Sequence, residues 1–477
     1  MLLSKLAQGL KIVGNDTEIT GIAYNSKKVN KGDLFVALKG RNTDGHLFIR
    51  EAIERDAAAV MVQREGEFPV PAIVVDNTRK YLGHIAARFY GFPSKTLKTI
   101  GITGTNGKTT TSFMIRDMLD AAGETSGLLG TIYYCIGKNC IEAMRTTPEA
   151  SDIQAFMSAA LKNGIGYFIM EVSSAGIEEF RIEGTHFHIA CLTNFSREHM
   201  EYHGNMEDYL KAKLKLFSQY EPENSVINID DSYSPRFLKV SKKSLTYGIK
   251  NKADLTAEIL DSTLSGTLLN LRGIINEENV YIPLPGIFNV YNFLCAASVL
   301  YILGKVDHIR ELAEHIQQVP GRFQIVPNHC GIHVIVDYAH TPESMENLLS
   351  NVQKHRKNKI ITVFGAGGDR DSGKRPLFGE IAEKYSDIQI VTSDNPRTEP
   401  PEQIINDILK GMKKNKYTVI PDRKEAIIHA IKIASPEDIV LLIGKGHETY
   451  QEINNIRYHF SDYEIAIKAL TERGCLP

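Results

Sequence analysis

The chain has no excess of charge of either sign: 55 basic and 57 acidic residues leave a formal net charge of -2. No block of like charges marks a tail for nucleic acid or for an anionic membrane surface, which excludes a general polyanion binder. No apolar run reaches the roughly 18 residues that a membrane helix needs. The opening MLLSKLAQGLKIVG reads as a short amphipathic helix without a signal-peptide core or cleavage site, so the expected location is the cytoplasm, without membrane insertion. Cysteine is sparse. Cys135, Cys140, Cys191, Cys295, Cys330 and Cys475 show neither a CxxC pair nor the spacing of a disulfide framework, and buried thiols are expected. Internal repeats and low-complexity stretches are also missing. What remains is 477 residues at 43% hydrophobic, too long for one ordinary core and too apolar to be disordered, which predicts two or three globular domains.

The order of patterns divides the chain. AAAVMVQ from residue 57, AIVVD at 72 to 76 and the helical TRKYLGHIAARFYG end at the turn Phe92, Pro93 and Ser94, predicting a first domain over 1–93. Strand-like runs KTIGITG, YFIMEVSS, HIACLTNF and SVINID then alternate with helical periodicity, as in a parallel sheet covered by helices. Between 252 and 285 the texture changes to that of antiparallel strands, closing a second domain over 94–318. Near Pro320, Gly321 and Arg322 the parallel style resumes with HVIVDYAH, KIITVFGAGGDRD, IQIVTSDNPRTEPP and DIVLLIGKGHE, a third, Rossmann-like domain over 319–477. The fold class is α/β throughout.

Residues 101–111, GITGTNGKTTT, follow an apolar strand and precede the helix-like SFMIRDMLDAAG. Strand, glycine loop and helix start together make a phosphate-binding loop. Gly104 and Gly107 let backbone amides approach phosphate oxygens, Lys108 neutralises charge there, and the Thr109 hydroxyl suits magnesium. Thr105, Asn106 and Thr110 complete the cradle. The general pattern wants glycine where Ile102 stands, and this chain has Gly101 and Gly104 instead.

The variant form TGTNGKTT is similar to that of the ATP-dependent muramyl (Mur) ligases and their relative folylpolyglutamate synthase. The chain resembles the Mur ligases along its whole length, nearest to the branch that adds the third residue of the peptide. The match runs through SKKVNKGDLFVALKGRNTDGHLFI, TTPEA, EVSS, YHGNMEDYLKAKLKLF, VPGRF, DYAHTPESM, GGDRDSGKRP, DNPR and GKGHE, in that order. Residues 1–93 argue against folylpolyglutamate synthase, which lacks a uridine-diphosphate domain. The resemblance implies a three-domain enzyme with a central ATPase domain, using ATP and magnesium to phosphorylate a carboxylate and pass the acyl group to an amine. Its expected partners are a UDP-N-acetylmuramoyl dipeptide and diaminopimelate, with no nucleic acid, and the chain is expected to be a monomer.

Carried over residue by residue, the resemblance makes Glu171 and His199 magnesium ligands, with His203 in support. It makes Lys213 a lysine carbamylated by carbon dioxide, whose anion would hold magnesium where an ammonium would repel it. From the residues alone, Glu171 also suits a buried structural role, the two histidines fail the HExxH order of a zinc helix, and Lys211 and Lys215 have claims equal to that of Lys213. Asn292, Arg322, Asp337 and His340 would face the nucleotide. Arg370, Asp394, Asn395, Pro396, Arg397, Gly444 and Glu448 would form the amino-acid crevice, with Arg397 clamping a carboxylate and Asp394 and Glu448 taking an ammonium. Ser26 and the loop from Asp44 to His46 resemble a uridine-diphosphate site. Thr146, Thr147, Ser173 and Arg181 resemble contacts to the muramoyl peptide. The chain departs from the family pattern at Asn25, Lys27, Ala175, Glu179 and Glu198. An added carboxylate at Glu179 would repel an anionic substrate, which leaves open a sister ligase with another acceptor or amine. A non-catalytic nucleotide-binding module is the reading from another class, weakened by Lys108, Thr109, Glu171, His199 and Lys213 standing together.

Overall fold

The computed structural model describes residues 1–40, 43–198, 200–414 and 416–476. Contacts group the chain into two units: Met1–Ala257 with Leu271–Asn276 and Tyr291–Leu312, and Glu258–Asn270 with Glu277–Val290 and Ala313–Pro477.

The first unit carries two sheets. One has the order Lys11–Val13, Ala72–Val74, Ala59–Val62, Asp33–Val36, Gly21–Ala23. Its last four strands are parallel, and the first pairs antiparallel at the edge. The strands DLFV and AVMV are buried at every position, as a parallel sheet covered on both faces requires. Helix Thr78–Phe89 follows, capped by the Asn77 side chain, which accepts from the amides of Arg79 and Lys80. The opening residues do not form the expected longer helix: a single turn, Leu3–Leu6, is followed by the strand Lys11–Val13, because pairing with Ala72–Val74 overrides local helical periodicity.

The second sheet places the phosphate-loop strand Lys98–Thr103 between Tyr167–Glu171 and Ile189–Leu192, all parallel. Ser126–Leu129 lies beyond Tyr167–Glu171 and leads into the antiparallel strands Tyr133–Ile136 and Asn139–Glu142. On the other side come Asn224–Asn228 and Ser244–Gly248. Strand Leu255–Ser262 joins through Leu255 and Thr256, and the division between the units falls within it. Register brings Glu171 opposite Ile102 and Leu192 opposite Thr103, so three strand ends converge where the glycine loop begins. Carboxyl ends of parallel strands are the usual ligand side of such sheets.

The second unit is built on a six-stranded sheet, Gln324–Val326, His333–Asp337, Ile439–Ile443, Ile360–Phe364, Ile388–Val391, Tyr417–Val419. Only the first pair is antiparallel. The HVIVD, IITVF, IQIV and IVLLI runs supply its core, with helices on both faces.

Four of the six cysteines are paired, contrary to the expectation of buried thiols: Cys135 with Cys140 and Cys330 with Cys475. The first pair faces across a hairpin, where antiparallel register sets the two residues opposite each other. The second joins residues 145 apart in sequence, a proximity that spacing alone does not encode. Cys191 and Cys295 are buried free thiols, as expected. Among the described residues no helix is long and apolar enough to cross a membrane.

Candidate functional site

The glycine loop turns because Gly104 and Gly107 adopt φ of 151° and 84°. Space as well as conformation demands glycine there: a Cβ on Gly104 would lie 1.9 Å from Thr193 Oγ1, and one on Gly107 would lie 2.4 Å from Asn292 Oδ1. Asn292 thus sits against the loop itself, where it also accepts the Thr111 hydroxyl at 3.3 Å. Thr105 and Asn106 anchor the loop to the neighbouring strand end through Asn194, and Thr105 reaches Tyr209 at 3.2 Å. Lys108 and Thr109 open the following helix, with Thr110 buried beside them.

Two lysine nitrogens share one carbonyl. Lys108 Nζ donates to Gly104 O at 2.8 Å, and Lys213 Nζ donates to the same oxygen at 2.9 Å. Lys213 is 1% exposed and lies over the Tyr209 ring, and its pKa falls well below the ordinary lysine value, first because of burial and then because Lys108 is close. Of the three lysines that the sequence offers here, Lys213 is the buried one, whereas Lys215 pairs with Glu178 and Lys211 with Asp208.

Glu171 is fully buried and stitches the loop to a second group of residues. Its Oε2 accepts the Thr109 hydroxyl at 3.0 Å and the Thr131 hydroxyl at 2.9 Å, while Oε1 accepts the Thr131 amide at 2.8 Å. Thr131 meets Thr146 at 3.1 Å. Thr147 donates to the Glu171 carbonyl and meets Ser173 Oγ at 3.0 Å, and Arg181 Nη1 donates to the Thr147 carbonyl. The candidates Thr109, Glu171, Thr146, Thr147, Ser173 and Arg181 therefore belong to one continuous network. His203 hydrogen-bonds Ser174 at 2.9 Å, whereas His199 lies outside the described residues.

Glu179 is electrically balanced. Arg181 Nη2 donates to its Oε2, Arg79 is 3.7 Å away, and its pKa is lowered: burial opposes the shift, but Arg181 and then Arg79 outweigh it. Arg79 also donates to the buried Glu149 at 2.9 Å, as Arg145 does at 2.6 Å. Sequence reading missed Arg79, Glu149 and Thr131. The TTPEA match contained Glu149, but nothing local signalled the arginine that pairs with it from residue 79. Ser26 donates to Glu51 at 2.7 Å, and Asp44 caps a short helical turn and binds His46, each within the first sheet's own surroundings.

In the second unit, Asp337 is half-buried at a strand end and accepts the amides of Phe323 and Ala339; desolvation raises its pKa, with Arg322 opposing. Arg322 stacks over the Tyr338 ring at 4.7 Å, and His340 and His447 flank the same ring at 4.5 and 4.8 Å. Arg322 Nε and His447 Nδ1 are buried with no hydrogen-bond partner among the described residues.

The strand-end loops bring the next candidates together. Asn395 Nδ2 donates to Glu448 Oε2 at 2.8 Å, and a Cβ on Gly444 (φ 118°) would lie 2.5 Å from Asp394 Oδ2. Arg397, itself at φ 52°, donates to the Gly368 carbonyl and approaches Glu452 at 3.8 Å. Pro396 packs on Gly368, and the stem of Arg370 and the guanidinium of Arg397 both border Gly367. Arg370 is exposed. Lys445, which the sequence did not single out, is buried among these residues.

Comparison with known proteins gives the class and then several similar members. Three Mur ligase descriptions match in order: the Mur ligase catalytic domain over residues 18–90, the Mur ligase middle domain over 102–300 and the glutamate ligase domain over 321–446. The chain belongs to the Mur ligase family and has its three-domain α/β architecture. Among relatives it is similar to the UDP-N-acetylmuramoyl-L-alanyl-D-glutamate--2,6-diaminopimelate ligase of Aquifex aeolicus, 44% identical over 96% of this chain and 95% of that one. The enzyme of the same name from Clostridioides difficile is 42% identical over 99% of this chain and 100% of that one. A solved structure under that name is 34% identical, covers 96% of this chain and 95% of that chain, and has a TM-score of 0.69.

Proposed function

We propose that the protein is an ATP-dependent, ADP-forming ligase that joins meso-2,6-diaminopimelate to the D-glutamate carboxylate of UDP-N-acetylmuramoyl-L-alanyl-D-glutamate. It works in the cytoplasm as a monomer and supplies peptidoglycan precursor for cell shape and division. The observation that carries the reading is the single network from Thr109, next to Lys108 at the start of the loop helix, through Glu171 and Thr131 to Thr146, Thr147, Ser173 and Arg181. A phosphoryl donor on the glycine loop and a carboxylate held at the threonines would then meet at one place. The working boundaries of the three domains are residues 93 and 318.

A carboxylate oxygen attacks the γ-phosphorus and ADP leaves; the amine nitrogen then attacks the acyl carbon, inorganic phosphate departs, and loss of a proton from nitrogen leaves the amide. Lys108 and the loop amides stabilise charge moving through the phosphates. Thr105, Asn106 and Thr110 shape the cradle, and Asn292 braces it. A buried carboxylate held by hydroxyls is a hard-oxygen donor set that fits magnesium, so Thr109 and Glu171 would hold the ion, with His199 and Lys213. When bound, magnesium supplies positive charge along the phosphate oxygens. The depressed pKa of Lys213 favours the neutral amine that adds carbon dioxide and loses a proton to become a carbamate. The unpartnered Arg322 Nε supports a nucleotide-facing role for Arg322, Asp337 and His340. Ser26 and the loop at Asp44 hold the uridine diphosphate, and Ser173 and Arg181 the muramoyl peptide. Arg370 and Arg397 receive the distal carboxylate of diaminopimelate, Asp394 and Glu448 its ammonium, and Asn395, Pro396 and Gly444 shape the crevice. The charge balance at Glu179 removes the repulsion that would argue for another acceptor.

The test is ADP release by the purified protein with ATP, magnesium and the UDP-muramoyl dipeptide, offered diaminopimelate, lysine or ornithine, with the product weighed by mass spectrometry. Release dependent on diaminopimelate, with the tripeptide product, is expected. Equal or greater use of lysine or ornithine, or no amino-acid dependence, overturns the reading.

A further inference from the structure

The crevice built by Asp394, Asn395 and Glu448 already contains an ammonium. Lys445 is completely buried, and its Nζ lies 3.1 Å from Glu448 Oε2, 3.0 Å from Asn395 Oδ1 and 4.0 Å from Asp394 Oδ1. The rings of Tyr450 and Phe460 stand 5.5 and 6.0 Å from the same nitrogen. A buried lysine is retained where carboxylates and hydrogen bonds compensate its charge, and here it meets two carboxylates and an amide oxygen. The other buried cation nearby, Arg423, gives Nε and Nη2 to Asp462. Two carboxylates and one ammonium leave one negative charge.

We propose that Lys445 is a positioning residue for the amino-acid substrate: it cancels one of the two carboxylates, Asp394 and Glu448, so that the crevice accepts one substrate ammonium and holds it at a fixed depth. The proposal rests on the ligase reading above. Without Lys445 the crevice carries two negative charges and a vacant ammonium seat deeper in the protein, into which the substrate's own ammonium is drawn, away from the distance at which Arg397 reaches the carboxylate.

The experiment uses full-length Lys445→Ala with saturating ATP and UDP-muramoyl dipeptide while diaminopimelate is titrated. The KM for diaminopimelate should rise about 30-fold or more, as for removal of one partner from a buried charge pair, with the KM for ATP within about twofold of the intact enzyme's. Propylammonium, filling the vacated channel with a charge of the same kind, should lower the raised KM about fivefold or more and saturably, whereas sodium should not. A KM that stays unchanged, or a raised KM that propylammonium does not lower, overturns the proposal. Lys445→Met keeps the buried stem and removes only the charge; its KM for diaminopimelate should rise without rescue, and a normal KM there overturns the proposal even if the alanine variant fails to fold. The intact enzyme is assayed in parallel: if it shows no diaminopimelate-dependent ADP release, the ligase reading fails and the role of Lys445 falls with it, whereas an active parent with an unaffected methionine variant removes Lys445 alone.

Discussion

The phosphate-loop region and the strand-end crevice handle charge in opposite ways. At the loop, Lys108 and Lys213 crowd onto one carbonyl, and Glu171 is held by two hydroxyls and an amide. In the crevice and its supports, ion faces ion: Lys445 with Glu448, Arg397 with Glu452, Arg423 with Asp462, and Arg375 with Glu399 and Asp407. The cationic Lys108 and the loop amides at a helix start suit a polyanionic ligand. A region where cations and carboxylates interleave, with one carboxylate charge left over for an ammonium, suits a zwitterion, whose recognition depends on geometry more than on net attraction.

The largest effect should come from the loop. Lys108→Ala is expected to lower kcat by roughly 10²- to 10³-fold or more while leaving the melting temperature close to that of the intact protein, because the charge acts on the transferring phosphoryl group. Near-normal turnover in that variant would erase the contrast. Next is Lys213→Ala, expected to cost about 10²-fold, with short carboxylates such as acetate restoring part of the rate. The intact protein should show a carbamate signal under carbon-13-labelled carbon dioxide that disappears on acidification, since falling pH protonates the amine that the carbamate needs. A fully active, carboxylate-indifferent alanine variant would break this half of the comparison.

On the crevice side, Arg397→Ala should raise the KM for diaminopimelate about 10- to 100-fold, with little change for ATP, and should reduce the preference over lysine. The effect is modest because Arg397 is only half-buried and Gly368 and Glu452 already satisfy part of the guanidinium when lysine is bound. An unaltered ratio of catalytic efficiencies for the two amino acids would show that selectivity lies elsewhere. The smallest effect concerns His447, whose pKa is lowered to about 3, chiefly by burial and then by Arg322. Its folded-state value lies below the unfolded one, so the unfolded chain binds the proton first and stability declines as pH drops below about 6.5. At pH 5.5 this amounts to about 1 kcal/mol. Denaturant melts at pH 7 and 5.5 should show that His447→Gln flattens the difference; an equal loss in both proteins would assign acid sensitivity to other groups.

How much could be read from sequence follows the same division. The loop site is nearly contiguous, and GITGTNGKTTT carries its turn, charge and hydroxyl within eleven residues. The crevice is assembled from segments near 367, 394 and 444, and its motifs named most members but missed Lys445. A lysine between two glycines reads as solvated; its burial depends on the rings of Tyr450 and Phe460, which only the fold brings over it. The neutralisation of Glu179 was equally hidden, since Arg79 stands a hundred residues away. The parallel strands were legible because full burial writes continuous apolar runs. The edge strand Lys11–Val13 was not, since an edge position imposes a weaker pattern.

The bond between Cys330 and Cys475 closes most of the last sheet region into a covalent ring. Asn454 and Asn455, both at positive φ and both exposed, form the tip of a hairpin in that ring and are an open target for a protease. A single nick there would leave both fragments on one molecule under oxidising conditions and separate them on denaturing gels only after a thiol is added. The migration of the nicked protein with and without reductant would therefore report whether the bond exists in the living cell.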